Sequence, residues 1–142
     1  MSTGLLKSIG VVKKVDGETS KIKVYPEFCE ALKGLDTFSH IIVLYGLHLR
    51  DDDANRRTLK VVPRMHQGAP EVGVFACRSP SRPNPIGLSI AELPKIDDCS
   101  ILVRELDAVE GTPIIDIKPY LPRADSIPQA KTPEWASHGP KT

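Results

Sequence analysis

Several features that mark other protein classes are scarce or absent in this chain. Aromatic residues make up only 5% of its 142 positions, which argues against a barrel that binds RNA by base stacking alone. No apolar run approaches the roughly 18 residues of a membrane span, and the first ten residues lack the apolar block of a signal peptide. We therefore expect no membrane association. The formal net charge of +1 lacks the basic excess typical of nucleic-acid-binding proteins but is compatible with a local basic patch.

Cysteine and histidine are too sparse to suggest a metal centre. Cys29, Cys77 and Cys99 are an odd number without a CxxC pair, which argues against a disulfide framework and a structural zinc site. The histidines show no HxH, HxxxH or HExxH spacing, so we expect no bound metal. Because unpaired cysteines are typical of reducing compartments, the sequence predicts a cytoplasmic protein. The fingerprints of NTPases, dinucleotide-binding enzymes and common hydrolases are also missing.

Proline, by contrast, is abundant, with 13 residues. So many prolines disfavour long helices and favour short strands separated by rigid turns. Pro26–Lys33 has the pattern of a short helix, and Asp16-Gly17 and Asp97-Asp98 are turn signals. Apolar or alternating stretches predict strands at residues 5–15, 21–25, 38–49, 58–62, 72–76, 88–96, 101–106 and 114–117.

This pattern predicts an all-β protein. Short strands joined by turns, without a long amphipathic helix, indicate a small closed or nearly closed antiparallel β-barrel with one or two short helices. We expect a single barrel domain over residues 1–124. An extended C-terminal tail is expected over residues 125–142, where periodicity is lost and prolines recur.

The loop Arg78–Gly87, with the sequence RSPSRPNPIG, is the most informative segment. Its three prolines fix the backbone before any ligand arrives. Arg78 and Arg82 carry guanidinium groups suited to carboxylates or phosphates. The simpler alternative is a rigid, solvated loop with two surface arginines.

A second candidate segment, LDAVEGTPIIDIKPY, runs from Leu106 to Tyr120. Asp107 follows a predicted strand, where a carboxylate can be presented at the barrel rim; alternatively it caps the following turn. Asp116 and Lys118 share one strand face, and the alternative to a functional role is an exposed ion pair between them.

Three stretches together resemble the TsaA-like family of small β-barrel proteins: FSHIIVLYGLH, GVFACRSPSRPNPIGLS and LDAVEGTPIIDIKPYLP. Characterised bacterial members of that family are tRNA (adenine-N6)-methyltransferases that use S-adenosylmethionine. The resemblance spans about residues 6–125. It implies methylation at N6 of a modified adenosine, threonylcarbamoyladenosine, next to a tRNA anticodon. It also implies a homodimer with the cofactor held near the subunit interface.

Carried over by position, the resemblance implies four places that line a cofactor pocket. Asp107 would accept hydrogen bonds from the ribose hydroxyls, and Arg78 would pair with the methionine carboxylate. The implied cofactor contacts are His48, Leu49, Arg78, Leu88, Arg104, Glu105, Leu106 and Asp107. Candidate phosphate contacts with the RNA are Arg56, Arg57, Arg64, Arg82 and Lys118. No residue is assigned as the catalytic base.

The alternative interpretation is a non-catalytic barrel that binds S-adenosylmethionine or another nucleotide and reports it to a partner. Many bacterial members of the family have a segment with proline and glycine soon after the first strand, which contributes to the cofactor site. Here the corresponding residues 15–20 are fewer and contain no proline. The sequence also ends without the further C-terminal domain that helps many members to hold tRNA. The intact RPNPIG and GTPxxDIKPY motifs favour the enzyme.

Overall fold

Eight β-strands make up most of the regular structure in residues 4–141, the part of the chain that this computed structural model describes. They are β1 (Gly10–Asp16), β2 (Thr19–Val24), β3 (His40–Gly46), β4 (Lys60–Val61), β5 (Val72–Gly73), β6 (Ile86–Asp97), β7 (Ser100–Arg104) and β8 (Pro113–Pro119). The helical segments are short. Two are α-helical, α1 (Asp53–Arg56) and α2 (Pro122–Asp125), and the others are 3-10 turns at Pro26–Leu32, Leu35–Thr37, His48–Arg50, Val74–Ala76 and Glu134–Ala136.

Six of the strands form one antiparallel sheet in the order β1-β2-β7-β6-β3-β8. The first and last strands also pair, through Gly10 with Ile114 and Val11 with Pro113, so the sheet closes as a barrel. The predicted mainly antiparallel β architecture is confirmed. The remaining two strands, β4 and β5, pair only with each other.

The interior of the barrel is filled mainly by β-branched side chains. Along β2, Ser20, Ile22 and Val24 are buried while Lys21 and Lys23 are exposed, the alternation of a half-buried strand. Branched side chains pack well on a pleated sheet, and burying each contributes roughly 1.5–3 kcal/mol. The valines and isoleucines with at most 1% exposure are Val12, Ile22, Val24, Ile41, Val43, Ile101, Val103 and Ile114.

The described chain divides into two compact units. The barrel unit comprises residues 4–46 and 86–121. The second unit comprises residues 47–85 and 122–141 and contains β4, β5 and both α-helices. The predicted boundary after residue 124 stays a prediction. The segment that follows it is not wholly extended, because it includes the 3-10 turn Glu134–Ala136, whose Trp135 ring contacts His66 edge-on at 5.8 Å between centroids.

Several elements differ locally from their predictions. The helix expected at Pro26–Lys33 is a 3-10 turn. The strand expected over residues 38–49 ends at Gly46, and His48–Arg50 turns instead. None of the helices that the structure describes has the length and apolar character needed to span a lipid bilayer.

The expectation that no disulfide forms was wrong. Cys29 and Cys99, 70 positions apart in the sequence, form a disulfide with their Cα atoms 5.3 Å apart. Cys29 lies in the turn that follows β2, and Cys99 lies in the turn between β6 and β7. Because β2 pairs with β7, the Val24 N–H donates to the Cys99 carbonyl at 2.9 Å. Strand pairing therefore joins two cysteines that sequence spacing separates, while Cys77 stays free.

Candidate functional site

The Tyr45 hydroxyl lies at the centre of a polar cluster inside the barrel unit. Tyr45 is 5% exposed, and its hydroxyl donates to the Asp107 carbonyl at 2.8 Å. The Asp107 N–H donates to Ser89 Oγ at 3.3 Å. The two hydroxyls lie 3.0 Å apart, and since the Tyr45 proton is already used, Ser89 donates to Tyr45. Every donor in this ring has an acceptor, so the backbone of Asp107 is held on both sides.

Gly87 makes room for the Tyr45 side chain. The two residues are cross-strand partners in the β3–β6 ladder, and a Cβ placed on Gly87 would overlap the Tyr45 ring. Glycine is required here because the aromatic ring occupies the space that any other side chain would need. The final residue of the RPNPIG motif therefore serves the placement of Tyr45.

The segment Glu105–Asp107 leaves β7 in an unusual conformation. Glu105 has a φ of 67°, in the left-handed region that non-glycine residues seldom adopt, and its N–H donates to the Glu18 carbonyl at 3.1 Å. Leu106 is buried at 8% exposure, whereas Asp107 is exposed. Among residues 4–141 the Asp107 carboxylate makes no hydrogen bond, so it does not cap the following turn and is presented to solvent on a fixed backbone.

The other predicted residues of the barrel unit lie on its surface. Leu88 is 41% exposed, and it precedes Ser89, whose Oγ accepts from the Asp107 N–H. The Arg104 guanidinium is already paired with Glu92 at 3.1 Å. Lys118 forms the predicted exposed ion pair with Asp116 at 3.2 Å.

In the second unit, the proline-rich loop is braced by its own polar groups. Arg82 Nη1 donates to the carbonyls of Cys77 and Ser79, both at 3.1 Å. Ser81 is 7% exposed and donates to Asn55 Oδ1 at 2.5 Å. The guanidinium of Arg82 is therefore engaged within the loop, and the rigidity that its prolines imply stays a prediction.

The remaining arginines of the second unit differ in how free they are. Arg56 pairs with Asp51 at 2.6 Å and donates to the Pro83 carbonyl at 2.9 Å. The hydrogen bond from Arg56 lowers the pKa of the Asp51 carboxyl below its usual value. Arg78 is exposed and, within the described part of the chain, makes no hydrogen bond or ion pair. Arg57, Arg64, His48 and Leu49 are exposed as well.

Sequence reasoning missed Tyr45, Ser89 and Asn55. A signal for Tyr45 was present, because it follows Ile41 and Val43 at the period of two that marks the inward face of β3. A hydroxyl at an inward position needs a partner. The partners themselves come from other strands or turns, and no local pattern identifies them.

Neither of two surface clefts in the barrel unit involves the Tyr45 cluster. One, of about 750 Å³, is lined by residues that include Cys29 and Asp98. The other, of about 470 Å³, is lined mainly by apolar residues that include Phe28 and Phe38. Cys29, Asp98 and Cys99 place potential metal-ligand atoms within 4.8 Å of one another. The disulfide removes both sulfurs as thiolate ligands, however, and leaves one exposed carboxylate.

Comparison with known proteins identifies the family. Residues 11–126 match the model of the tRNA-methyltransferase O N-terminal domain. The chain belongs to this family. The match confirms the resemblance that the three sequence stretches indicate, and it covers both RPNPIG and GTPIIDIKPY.

Relatives within and around the family carry names that refer to a cofactor and a reaction. A probable S-adenosyl-L-methionine-binding protein of Archaeoglobus fulgidus is 49% identical over 80% of this chain and 30% of the relative. A tRNA (adenine(37)-N6)-methyltransferase of Escherichia coli is 42% identical over 85% of this chain and 52% of the enzyme. The crystal structure of TrmO from Pseudomonas aeruginosa superposes with a TM-score of 0.75 at 26% identity, covering 98% of this chain and 65% of that one. The chain thus spans about a third to two thirds of the length of these relatives.

Proposed function

We propose that this chain is an S-adenosylmethionine-dependent methyltransferase acting on N6 of an adenosine in tRNA. The observation that carries the proposal is the family match over residues 11–126, supported by the name of the E. coli relative. We further propose, from the resemblance, that the target is threonylcarbamoyladenosine beside the anticodon. An anticodon loop suits such an enzyme because its bases can be unstacked and presented singly.

The groups around Asp107 fit the polar half of the proposed cofactor. An exposed carboxylate without a partner can accept hydrogen bonds from a ribose diol, and the hydrogen-bonded ring at Tyr45 fixes the backbone that carries it. Leu88, which precedes the Ser89 that binds the Asp107 N–H, offers exposed apolar surface, whereas Leu106 is buried. The assignments of His48, Leu49, Arg104 and Glu105 rest on the resemblance alone.

S-adenosylmethionine would supply an electrophilic methyl group. What the protein contributes to such a displacement is mainly positioning, since the reaction needs an aligned nucleophile more than a strong acid or base. The exposed, unpaired guanidinium of Arg78 suits a carboxylate such as that of the methionine moiety. Glu105, Asp107 and His48 are candidates to accept the proton of the attacking nitrogen, and we assign none of them.

Several proposed RNA contacts differ in availability. Arg57 and Arg64 are exposed, so they are suited to phosphates. Arg56, Arg82 and Lys118 already have protein partners and would have to exchange or share them.

Homodimerisation and a cytoplasmic location also stay proposals from the family resemblance. Because Cys29 and Cys99 form a disulfide, the cysteines do not indicate a reducing compartment. A tRNA substrate is the remaining support for that location.

The proposal is tested by incubating purified protein with total tRNA and labelled S-adenosylmethionine, followed by nucleoside analysis. We expect label in an N6-methylated adenosine derivative. Arg78→Ala should weaken cofactor binding roughly 10- to 100-fold, the loss of a charged hydrogen bond. Arg123→Ala, which removes an exposed arginine from α2, serves as the matched control. Cofactor binding without any methylated nucleoside would support the non-catalytic module, and no cofactor binding would refute both functions.

A further inference from the structure

A group of lysines lies on the outer surface of the barrel, across β1, β2, β7 and β6. Lys14 is the cross-strand partner of Lys21, Lys21 pairs with Leu102, and Leu102 pairs with Lys95. These four positions form one row across the sheet, with about 4.8 Å between adjacent strands. Three of the four carry a positive charge. Lys23 is exposed two residues beyond Lys21, about 7 Å along the strand. We call Lys14, Lys21, Lys23 and Lys95 the lysine face.

The charges of the lysine face are not neutralised within the described chain. All four lysines are exposed, and none lies in an ion pair among residues 4–141. Of the acidic residues in these strands and their turns, Asp16, Glu18 and Asp98 lie toward the ends, and Glu92 pairs with Arg104. Asp97 lies in the row of Lys23, with Ser100 between them.

The fold explains only part of this arrangement. Like charges directly opposite each other on neighbouring strands are destabilising, yet Lys14 faces Lys21. Lysines often protect an open sheet edge from aggregation, and Lys14 and Lys95 lie beyond the last β8 and β3 partners of their strands. That explanation does not cover Lys21, because β2 is paired on both sides, with β1 and β7. For Lys21 the like-charge pair is a cost without a structural benefit, which is typical of a surface kept for a ligand.

We propose that the lysine face binds the phosphate backbone of RNA. The inference rests on the proposed function for the choice of RNA over other polyanions. No aromatic residue lies in the row Lys14, Lys21, Leu102 and Lys95, so it offers charge without stacking, which suits phosphates and not bases. Leu102, which lies between Lys21 and Lys95 in the row, belongs to β7, and β7 continues directly into the proposed cofactor contacts Glu105–Asp107.

The test measures binding of fluorescently labelled total tRNA to the full chain at several salt concentrations. The variant Lys14→Gln/Lys21→Gln/Lys95→Gln removes three charges at exposed positions. If each lysine contacts a phosphate, the slope of log affinity against log salt falls by roughly 0.7–0.9 per residue, or about 2–3 in total. Lys33→Gln removes one exposed lysine elsewhere on the same unit and should keep the wild-type slope. Circular dichroism checks folding, and Lys21→Gln alone, with a slope change near 0.8, replaces the triple variant if that variant does not fold.

Three results would overturn the inference. The first is tRNA binding by the lysine variants with an unchanged salt slope, and the second is no tRNA binding by the wild type. The third is that the lysine variants lose binding only to anionic phospholipid vesicles, which would identify a membrane-binding surface instead. Cofactor binding and methyl transfer are measured on the same proteins. If the wild type binds tRNA through the lysine face but neither binds cofactor nor methylates tRNA, only the proposed function is refuted. If the wild type methylates tRNA and the lysine variants bind tRNA with the same affinity and salt slope, only the inference is refuted.

Discussion

Replacing Tyr45 with phenylalanine tests the hydrogen-bonded ring at Asp107. The substitution removes one oxygen and leaves the ring in place over Gly87, so packing is kept. It deletes the bond to the Asp107 carbonyl at 2.8 Å and the bond accepted from Ser89 at 3.0 Å.

The expected loss follows from burial. A net contribution of about 0.5–1.5 kcal/mol per hydrogen bond gives about 1–3 kcal/mol for the two. Tyr45 is 5% and Ser89 8% exposed, so the Ser89 hydroxyl loses its acceptor in a place that water reaches poorly. The Asp107 carbonyl is only partly buried and can be rehydrated, which favours the lower half of the range.

Urea denaturation measures the change in the free energy of unfolding. Tyr25→Phe is the control, because Tyr25 is half-buried and its hydroxyl makes no hydrogen bond within residues 4–141; we expect it to change stability by less than about 0.5 kcal/mol. Either single substitution breaks the hydrogen-bonded ring. The double variant Tyr45→Phe/Ser89→Ala should therefore lose less unfolding free energy than the sum of the losses in Tyr45→Phe and Ser89→Ala. Equal stabilities of Tyr45→Phe and Tyr25→Phe, or full additivity in the double variant, would refute the ring. Cofactor affinity should fall in Tyr45→Phe as well, if the proposed role of Asp107 is correct.

Three further changes probe other features. Gly87→Ala should lower the melting temperature, because overpacking against the Tyr45 ring costs about 1–3 kcal/mol. Gly73→Ala is the control and should leave the melting temperature unchanged, since a Cβ there meets only an ordinary contact distance. Equal melting temperatures of the two variants would contradict the packing argument. Reducing the Cys29–Cys99 disulfide should cost about 2–4 kcal/mol of unfolding free energy in a denaturant titration, and Cys77→Ser should leave that reduction-dependent difference intact. The pKa of Asp51 is lowered by a hydrogen bond from Arg56, and the pKa of Asp52 is lowered by a hydrogen bond from the Asn55 N–H. The ionised carboxylates therefore stabilise the folded state above the unfolded-state pKa, and this contribution is lost as pH falls through the folded-state pKa. Carboxyl titration by NMR should show both values below normal, with Arg56→Gln restoring only that of Asp51.

The sequence alone predicts the barrel class and most strand positions. Alternation such as Ser20 to Val24, and turn pairs such as Asp97-Asp98, are local properties, and local geometry decides them. The absence of helix or strand from residue 78 to residue 85 was also predictable, because proline limits the backbone whatever surrounds it. Boundaries were less certain, as at Gly46, where an apolar sequence continues after the strand ends.

Tertiary structure decided what strand pairing brings together. The Cys29–Cys99 disulfide, the hydroxyl ring of Tyr45 and Ser89, and the row of Lys14, Lys21 and Lys95 each join residues from different strands or turns. No short sequence pattern encodes such neighbours, because the register between strands is set by the closure and packing of the whole sheet. The sequence therefore determined which residues face inward and outward, and the closed sheet determined which of them meet.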